Sequence, residues 1–114
     1  LDNSIECNIY DFDGFTHMYS TGSLVRHCRA WSHMVDYEGW NQLTIYAFDD
    51  HVIMYVNGKK SAEAHLPDFN HSGEICLQAG LKLMSAEGGP SEVAFKDIRI
   101  KDFGQIPSPF SKKD

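Results

Sequence analysis

The side chains best suited to take part in a reaction lie in a segment near the start of the chain where apolar and polar residues alternate. Residues 4–11 alternate apolar and polar side chains, which is typical of a half-buried β-strand. Glu6, Asn8 and Tyr10 share the polar face of this predicted strand. Asp11 joins that face only if a β-bulge intervenes. Two carboxyl groups along one groove can act as acid and base on a glycosidic bond, and the alternative is an ordinary solvated strand face.

Histidine is the second candidate for chemistry, with six copies in the chain. No two of them have the spacing of a local metal-binding motif on a predicted element, so no metal ligand is assigned. A divalent metal can still be held by residues that the fold brings together, and the cofactor therefore stays unknown. The candidates for such a site are Glu6, His17, His27 and His33. The alternative is a set of surface histidines in loops.

Aromatic side chains gather in the predicted loop before the middle of the chain. Trp31, Tyr37 and Trp40 fall within ten positions of one another. Sugars present apolar C–H faces that stack on aromatic rings, so exposed members of this group can line a carbohydrate groove. The alternative is structural: Trp40 in the core at a strand start and Trp31 in a loop-packing cluster.

The composition narrows the function classes. The chain has 114 residues, a net charge of −6 and 42% hydrophobic residues, which together indicate one globular domain. The ten basic residues are outnumbered by sixteen acidic ones and form no basic stripe, so no nucleic-acid partner is expected. No apolar run approaches the roughly 20 residues of a membrane-spanning helix. Three cysteines at wide spacing indicate neither a disulfide framework nor a zinc ribbon.

Apolar residues recur with a period of two almost throughout, which predicts an all-β fold. Asn57 and Gly58 provide a type I′ hairpin turn between two of the strands. A phase change in the last strand predicts a bulge or bend near Lys96 and Asp97. About seven antiparallel strands favour a β-sandwich or jelly roll over residues 1–103, followed by a tail or linker over 104–114. The predicted strands are residues 4–11, 20–28, 43–48, 51–56, a return strand from Lys59, 74–78 and 91–103.

Six short motifs, in order, resemble the 3-keto-disaccharide hydrolase domain. Two lie near the start, where IECNIYD at 5–11 is similar to the ExQxxD strand of that family and TGSL at 21–24 is similar to its TGALY segment. The others are GWN at 39–41, the NG hairpin at 53–58, GEICLQ at 73–78 and VAFKDIRI at 93–100. Order and spacing agree over residues 4–103.

The resemblance implies a concanavalin A-like lectin/glucanase sandwich that acts on oxidised, 3-keto glycosides outside the cytoplasm, in the periplasm or after secretion. Two departures fall in the stretch expected to line the groove: Asn8 stands where the family has glutamine, and Val25 where it has tyrosine. The N-terminal strands of the family are not found in this chain. We therefore expect an incomplete sandwich, with a homodimer through an open sheet edge as one way to complete it.

Two functions follow from the resemblance and from the residues. In an enzyme that cleaves oxidised sugars, Glu6 and Asp11 would share the acid and base roles, and His17 would shuttle a proton or bind a metal. Asn8 and Tyr10 would contact the substrate.

In a carbohydrate-binding module without catalysis, the same face would hold a sugar. Trp31 and Tyr37 would serve as its stacking platforms.

Overall fold

In a computed structural model of the protein, the described part of the chain contains one small antiparallel sheet. Two compact units are present, one of residues 1–71 with 106–114 and the other of residues 72–105. The strands are β1 (Leu43–Phe48), β2 (His51–Val56) and β3 (Lys59–His65), and short 3₁₀ turns span Pro67–Phe69 and Ser108–Phe110. The structure describes residues 4–10, 17–36, 38–69, 73–78, 93–103 and 108–110.

The sheet has the strand order β1-β2-β3, and tight turns fix its register. Asn57 and Gly58 both have positive φ, 52° and 80°, as the predicted type I′ turn between β2 and β3 requires. Asp49, in the turn between β1 and β2, has a φ of 50°. These turns confirm the two successive hairpins that the sequence predicts. The fold is all-β, as predicted.

The two faces of the sheet differ in character. One face packs onto the core cluster, in which Val52, Met54 and Ala62 meet Leu24 and Leu66. All five of these side chains are buried.

The opposite face, called the outer face here, carries the side chains that alternate with the core residues. Pairing puts His51 opposite His65 and Tyr55 opposite Lys60. The other outer-face members are Thr44, Tyr46, Phe48, Ile53 and Glu63.

A register shift in β3 interrupts this alternation. Met54 pairs with Ala62 while Tyr55 pairs with Lys60, so Ser61 is an extra residue in β3. The Ser61 side chain is fully buried, and its hydroxyl donates toward the Gly22 carbonyl (2.8 Å), with the Met54 carbonyl 3.1 Å away. The hydroxyl of the bulge residue Ser61 therefore links β3 to Gly22, which lies earlier in the chain.

Residues 4–10 and 17–25, called the first and second segments here, lie beside each other without forming regular strands. Cys7 and Leu24 form an isolated antiparallel bridge. The Asn8 amide donates to Ser23 (3.0 Å), and the Val25 amide donates to Glu6 (3.0 Å). The predicted strands over 4–11 and 20–28 are therefore wrong as regular elements within the described residues, because turns break the second segment and side-chain hydroxyls replace part of the ladder.

The second segment crosses the sheet at Gly22, where only glycine fits. Gly22 has a φ of +92°, a conformation that other residues rarely adopt. A Cβ placed on it would lie 2.8 Å from Ser61 Cβ and 2.8 Å from Val56 Cγ2. The absent side chain thus lets the second segment approach the sheet backbone closely.

The loop before β1 is fastened by amide side chains at the hairpin turn. Asn57 Oδ1 accepts the Gln42 amide proton (2.9 Å), and Asn57 Nδ2 donates to the Met34 carbonyl (2.7 Å). Asn41 Oδ1 accepts a further bond from Asn57 Nδ2 (3.0 Å). Trp40, which the structural alternative puts in the core, lies in this loop with its side chain 57% exposed, so that alternative is wrong for Trp40.

The second unit contains the described residues 73–78 and 93–103, and none of them belongs to a strand. The predicted strands at 74–78 and 91–103 are therefore wrong for these residues, whose side chains are almost all exposed, since an apolar alternation indicates a strand only where a partner ladder exists. The chain does bend at Asp97, with a φ of 54°, where the phase change predicts it. The predicted turn at 86–90 lies outside the described residues.

Part of the predicted tail packs against the sheet. The ring of Phe110, in the turn Ser108–Phe110, lies 5.9 Å from Phe48 and 4.8 Å from His51, measured between ring centroids. The boundary between a domain at 1–103 and a tail at 104–114 stays a prediction. In the part of the chain that is described, no helix has the length and apolarity needed to cross a membrane.

We predict that Gly22→Ala lowers the free energy of unfolding by about 3 kcal/mol or more, because it combines a left-handed backbone with overpacking against Ser61. Gly58→Ala is the matched control: Gly58 has a φ of +80° but open space around it, so only the backbone term of about 1–2 kcal/mol applies. Urea unfolding of the two variants measures the difference. Equal losses would contradict the proposed close contact.

Candidate functional site

The polar face of the first segment is accessible, as the sequence predicts. Glu6 is exposed, and Asn8 and Tyr10 are half-buried. On the other face, Ile5 and Cys7 pack against the core cluster. The alternation ends there, because Ile9, expected in the core, is 46% exposed.

Thr21 fixes the backbone at Tyr10. Its hydroxyl accepts the Tyr10 amide proton (2.8 Å) and donates to the Tyr10 carbonyl (3.0 Å). One buried side chain therefore satisfies both backbone polar groups of a residue that has left the ladder. The Asn8 side chain links this end of the first segment to the second segment, because its Nδ2 donates a hydrogen bond to the Tyr19 carbonyl.

A local turn brings His17 to the end of the first segment. Its amide donates to Ser20 Oγ (2.9 Å), and its carbonyl accepts a proton from Ser23 Oγ (3.0 Å). Its ring lies edge-on to Tyr10, with 5.7 Å between centroids. The Tyr19 amide donates to His17 Nδ1 (3.0 Å), so the neutral imidazole carries its proton on Nε2. His17 can thus donate a hydrogen bond from Nε2–H.

Asn8, Tyr10 and His17 are therefore brought together, with Glu6 two positions along the same segment. Asp11 and Tyr37 lie outside the described residues, so their predicted roles stay predictions. Trp31 stands apart at β3: its amide donates to the Ser61 carbonyl (2.9 Å), and its ring is 56% exposed.

The metal-site alternative can be examined only within the described ranges. Among those residues, no group of three histidine, cysteine or acidic side chains has a geometry that could hold a metal ion. Cys7 is half-buried beside the core, and burial, with a smaller contribution from Glu6, raises the pKa of its thiol to about 11. Cys7 is therefore a protonated packing residue at neutral pH.

A second polar cluster lies on the outer face, and the sequence analysis missed it. Glu63 bridges two partners: Lys60 Nζ lies 2.7 Å from Oε1, and His51 Nε2 lies 2.5 Å from Oε2. The hydrogen bond from Lys60 is the main cause that lowers the pKa of Glu63, against the effect of burial, and His51 adds to the lowering. The same contact raises the pKa of Lys60.

The sequence contains no simple signal for this cluster. The hairpin turn fixes the register of β2 against β3, and uninterrupted alternation from that turn would put Glu63 opposite Val52, on the core face. The extra residue Ser61 moves Glu63 opposite Ile53, onto the same face as His51. The cluster also forms across strands, so the spacing of histidines along the chain does not show it.

Comparison with known proteins supports the motifs. The family model of the 3-keto-alpha-glucoside-1,2-lyase-like domain matches residues 1–101, which confirms the family that the motifs resemble. No curated protein matches the chain significantly, and no solved structure does either.

We predict that Thr21→Val lowers the free energy of unfolding by about 1–3 kcal/mol, because it leaves the amide and carbonyl of Tyr10 without their partner. The substitution preserves the volume of the side chain. It should also loosen the contact between Tyr10 and His17, which a nuclear Overhauser effect between the two rings reports. Thr21→Ser keeps the hydroxyl and should keep that effect. Loss of the ring contact in both variants, or in neither, would contradict the role given to the hydroxyl.

Proposed function

The chain belongs to the 3-keto-alpha-glucoside-1,2-lyase-like domain family, and we propose that it cleaves the glycosidic bond of 3-keto glucosides at the polar face of the first segment. The family supports a carbohydrate-related function. One observation carries the proposal: the His17 ring, with its proton on Nε2, lies against Tyr10 on the segment that exposes Glu6. An exposed carboxylate and a hydrogen-bond donor are thereby available on the two neighbouring segments.

The reaction proposed is an elimination. A 3-keto group acidifies the C–H bond at C2, so a carboxylate can remove that proton. The electron pair of the C–H bond forms the C1–C2 double bond, and the bond from C1 to the glycosidic oxygen breaks. The departing oxygen takes a proton from the acid. The products are an unsaturated keto sugar and a free alcohol, and water added across the double bond completes a net hydrolysis.

Each residue has a role that suits its surroundings. Glu6, exposed and acidic, is the base, and Asp11 shares the acid and base work. Asp11 in its acid form protonates the departing oxygen, and His17 Nε2–H donates a hydrogen bond to that oxygen. Asn8 offers its Oδ1 to a sugar hydroxyl, since its Nδ2 binds Tyr19. Tyr10 contributes an aromatic wall.

The proposal also includes the complete fold and the location outside the cytoplasm that the family implies. We propose a concanavalin A-like jelly roll, completed by strands beyond the three-stranded sheet, and a location outside the cytoplasm. Pairing of two copies through an open edge, at β1 or β3, would be one way to complete the sandwich.

A binding module without catalysis is the second candidate, and the exposure of Trp31 favours it. A tryptophan ring that is 56% exposed offers a flat apolar surface to a sugar. In this function, Glu6 would bind hydroxyl groups and the sugar would leave unchanged.

We predict that the wild-type chain cleaves a 3-keto-glucoside and that Glu6→Gln lowers turnover at least about 100-fold, because removal of a positioned general base has effects of this size. Chromatography of the released alcohol measures turnover, and Glu38→Gln, at an exposed acid in another loop, is the matched control. A parallel assay with a chelator tests for a metal.

Three outcomes separate the candidates. Full activity of a folded Glu6→Gln variant would contradict the role of Glu6. An inert wild type that binds glycosides in calorimetry would support the binding module instead. Loss of wild-type turnover with the chelator would bring the histidines in as metal ligands.

A further inference from the structure

The outer face of the sheet carries aromatic and polar side chains around Ile53, which is buried. At one end, Lys60 Nζ lies 5.3 Å from the centroid of the Trp31 ring. Lys60 also binds Glu63, and Glu63 binds His51. Aromatic side chains continue on β1, where Tyr46 lies edge-on to Tyr55, with 5.7 Å between centroids. None of the residues proposed for cleavage belongs to this face.

A six-membered ring already occupies the β1 side of the outer face. The phenyl group of Phe110 meets Tyr46 edge-on at 6.4 Å, Phe48 at 5.9 Å and His51 at 4.8 Å between centroids. Phe110 belongs to the 3₁₀ turn Ser108–Phe110, which lies far along the chain from the sheet. The surface thus accepts a flat ring of roughly pyranose size, presented on a short segment.

The polar groups beside this ring cannot form hydrogen bonds with a phenyl group. Lys60 stabilises the charged form of the Glu63 carboxylate, and that carboxylate orients the His51 imidazole. His65 stacks on His51 at 4.2 Å between centroids, and its Nδ1 lies 3.3 Å from Asp50. A phenyl ring satisfies only the apolar part of such a surface.

A pyranose matches both parts of the surface. Its C–H face stacks on aromatic rings, and its hydroxyl groups donate to carboxylate and imidazole acceptors. Ligand sites in general combine aromatic walls with a few convergent polar groups. An acyclic polyol has the hydroxyl groups without the rigid apolar face, so it fits less well.

We propose that the outer face binds a pyranose ring at the place now occupied by the Phe110 ring, with His51 and Glu63 accepting its hydroxyl groups. The turn Ser108–Phe110 is then a competitor within the same chain. A sugar must displace it, so the observed affinity equals the intrinsic affinity multiplied by the fraction of molecules in which the turn is undocked. This inference shares only the carbohydrate class of ligand with the proposed function, and it requires no cleavage.

The test is a titration of the full ¹⁵N-labelled chain with methyl α-D-glucopyranoside, followed by amide shifts. We expect shifts at His51 and Glu63, with Phe110→Ala binding about tenfold tighter than the wild type because the competitor is gone. Adding Glu63→Gln to Phe110→Ala should remove most of the gain. Phe103→Ala, which removes a phenyl ring from the other unit, is the matched control, and sorbitol is the ligand control.

A second readout does not depend on the folding of any variant. In the wild type, saturating glucoside should abolish the nuclear Overhauser effect between the Phe110 and His51 rings. Persistence of that effect while the sugar is bound would overturn the competition.

The outcomes also distinguish this inference from the proposed function. Shifts confined to residues 6–10, or equal affinity with and without the Phe110 ring, would overturn the outer-face site and leave the cleavage proposal standing. Outer-face shifts that depend on Glu63, in a chain that does not cleave 3-keto-glucosides, would support the site and contradict the cleavage proposal. No shifts at any residue would overturn the site.

Discussion

The close approach of the Gly22 backbone to β3 is the constraint on which the rest of the first unit depends. The bulge at Ser61 turns an extra, fully buried hydroxyl toward the second segment, and Gly22 has no Cβ to keep the two backbones apart. Leu24, two residues later, enters the core between Cys7 and the face of the sheet. The first segment then has a partner only because the second one is held in place. The candidate site is therefore a consequence of backbone packing on the sheet.

Hydroxyl side chains do the work that a longer β-ladder would otherwise do. Thr21 closes the pairing at Tyr10, and Ser23 accepts the Ala30 amide proton (2.8 Å) while it donates to His17. Ser20 holds the His17 amide. Among the described residues, no buried side-chain nitrogen or oxygen lacks a hydrogen-bond partner. Such short local bonds let the second segment turn sharply and still present His17 beside Tyr10, which a straight strand could not do.

Local chemistry decided which parts of the fold could be predicted. The hairpin at Asn57 and Gly58 was predictable because two residues with positive φ leave few alternatives. The segment 20–28 was not, because its partners are a bulge and hydroxyl groups far along the chain. Within the site, the polar face of Glu6 followed from alternation. The contact of His17 with Tyr10 depends on turns, which a periodic sequence pattern does not predict. The cluster at Glu63 depends on the pairing of residues across strands.

Amide hydrogen exchange in Gly22→Ala tests most directly whether this packing positions the candidate site. The amides of Asn8 and Val25 join the first segment to the second, whereas the amides of β2 belong to the sheet itself. We predict that the substitution speeds exchange at Asn8 and Val25 by at least about tenfold more than at β2, because local opening follows the weakest contact. Unchanged protection at Asn8 and Val25, or an equal loss throughout the sheet, would contradict the account.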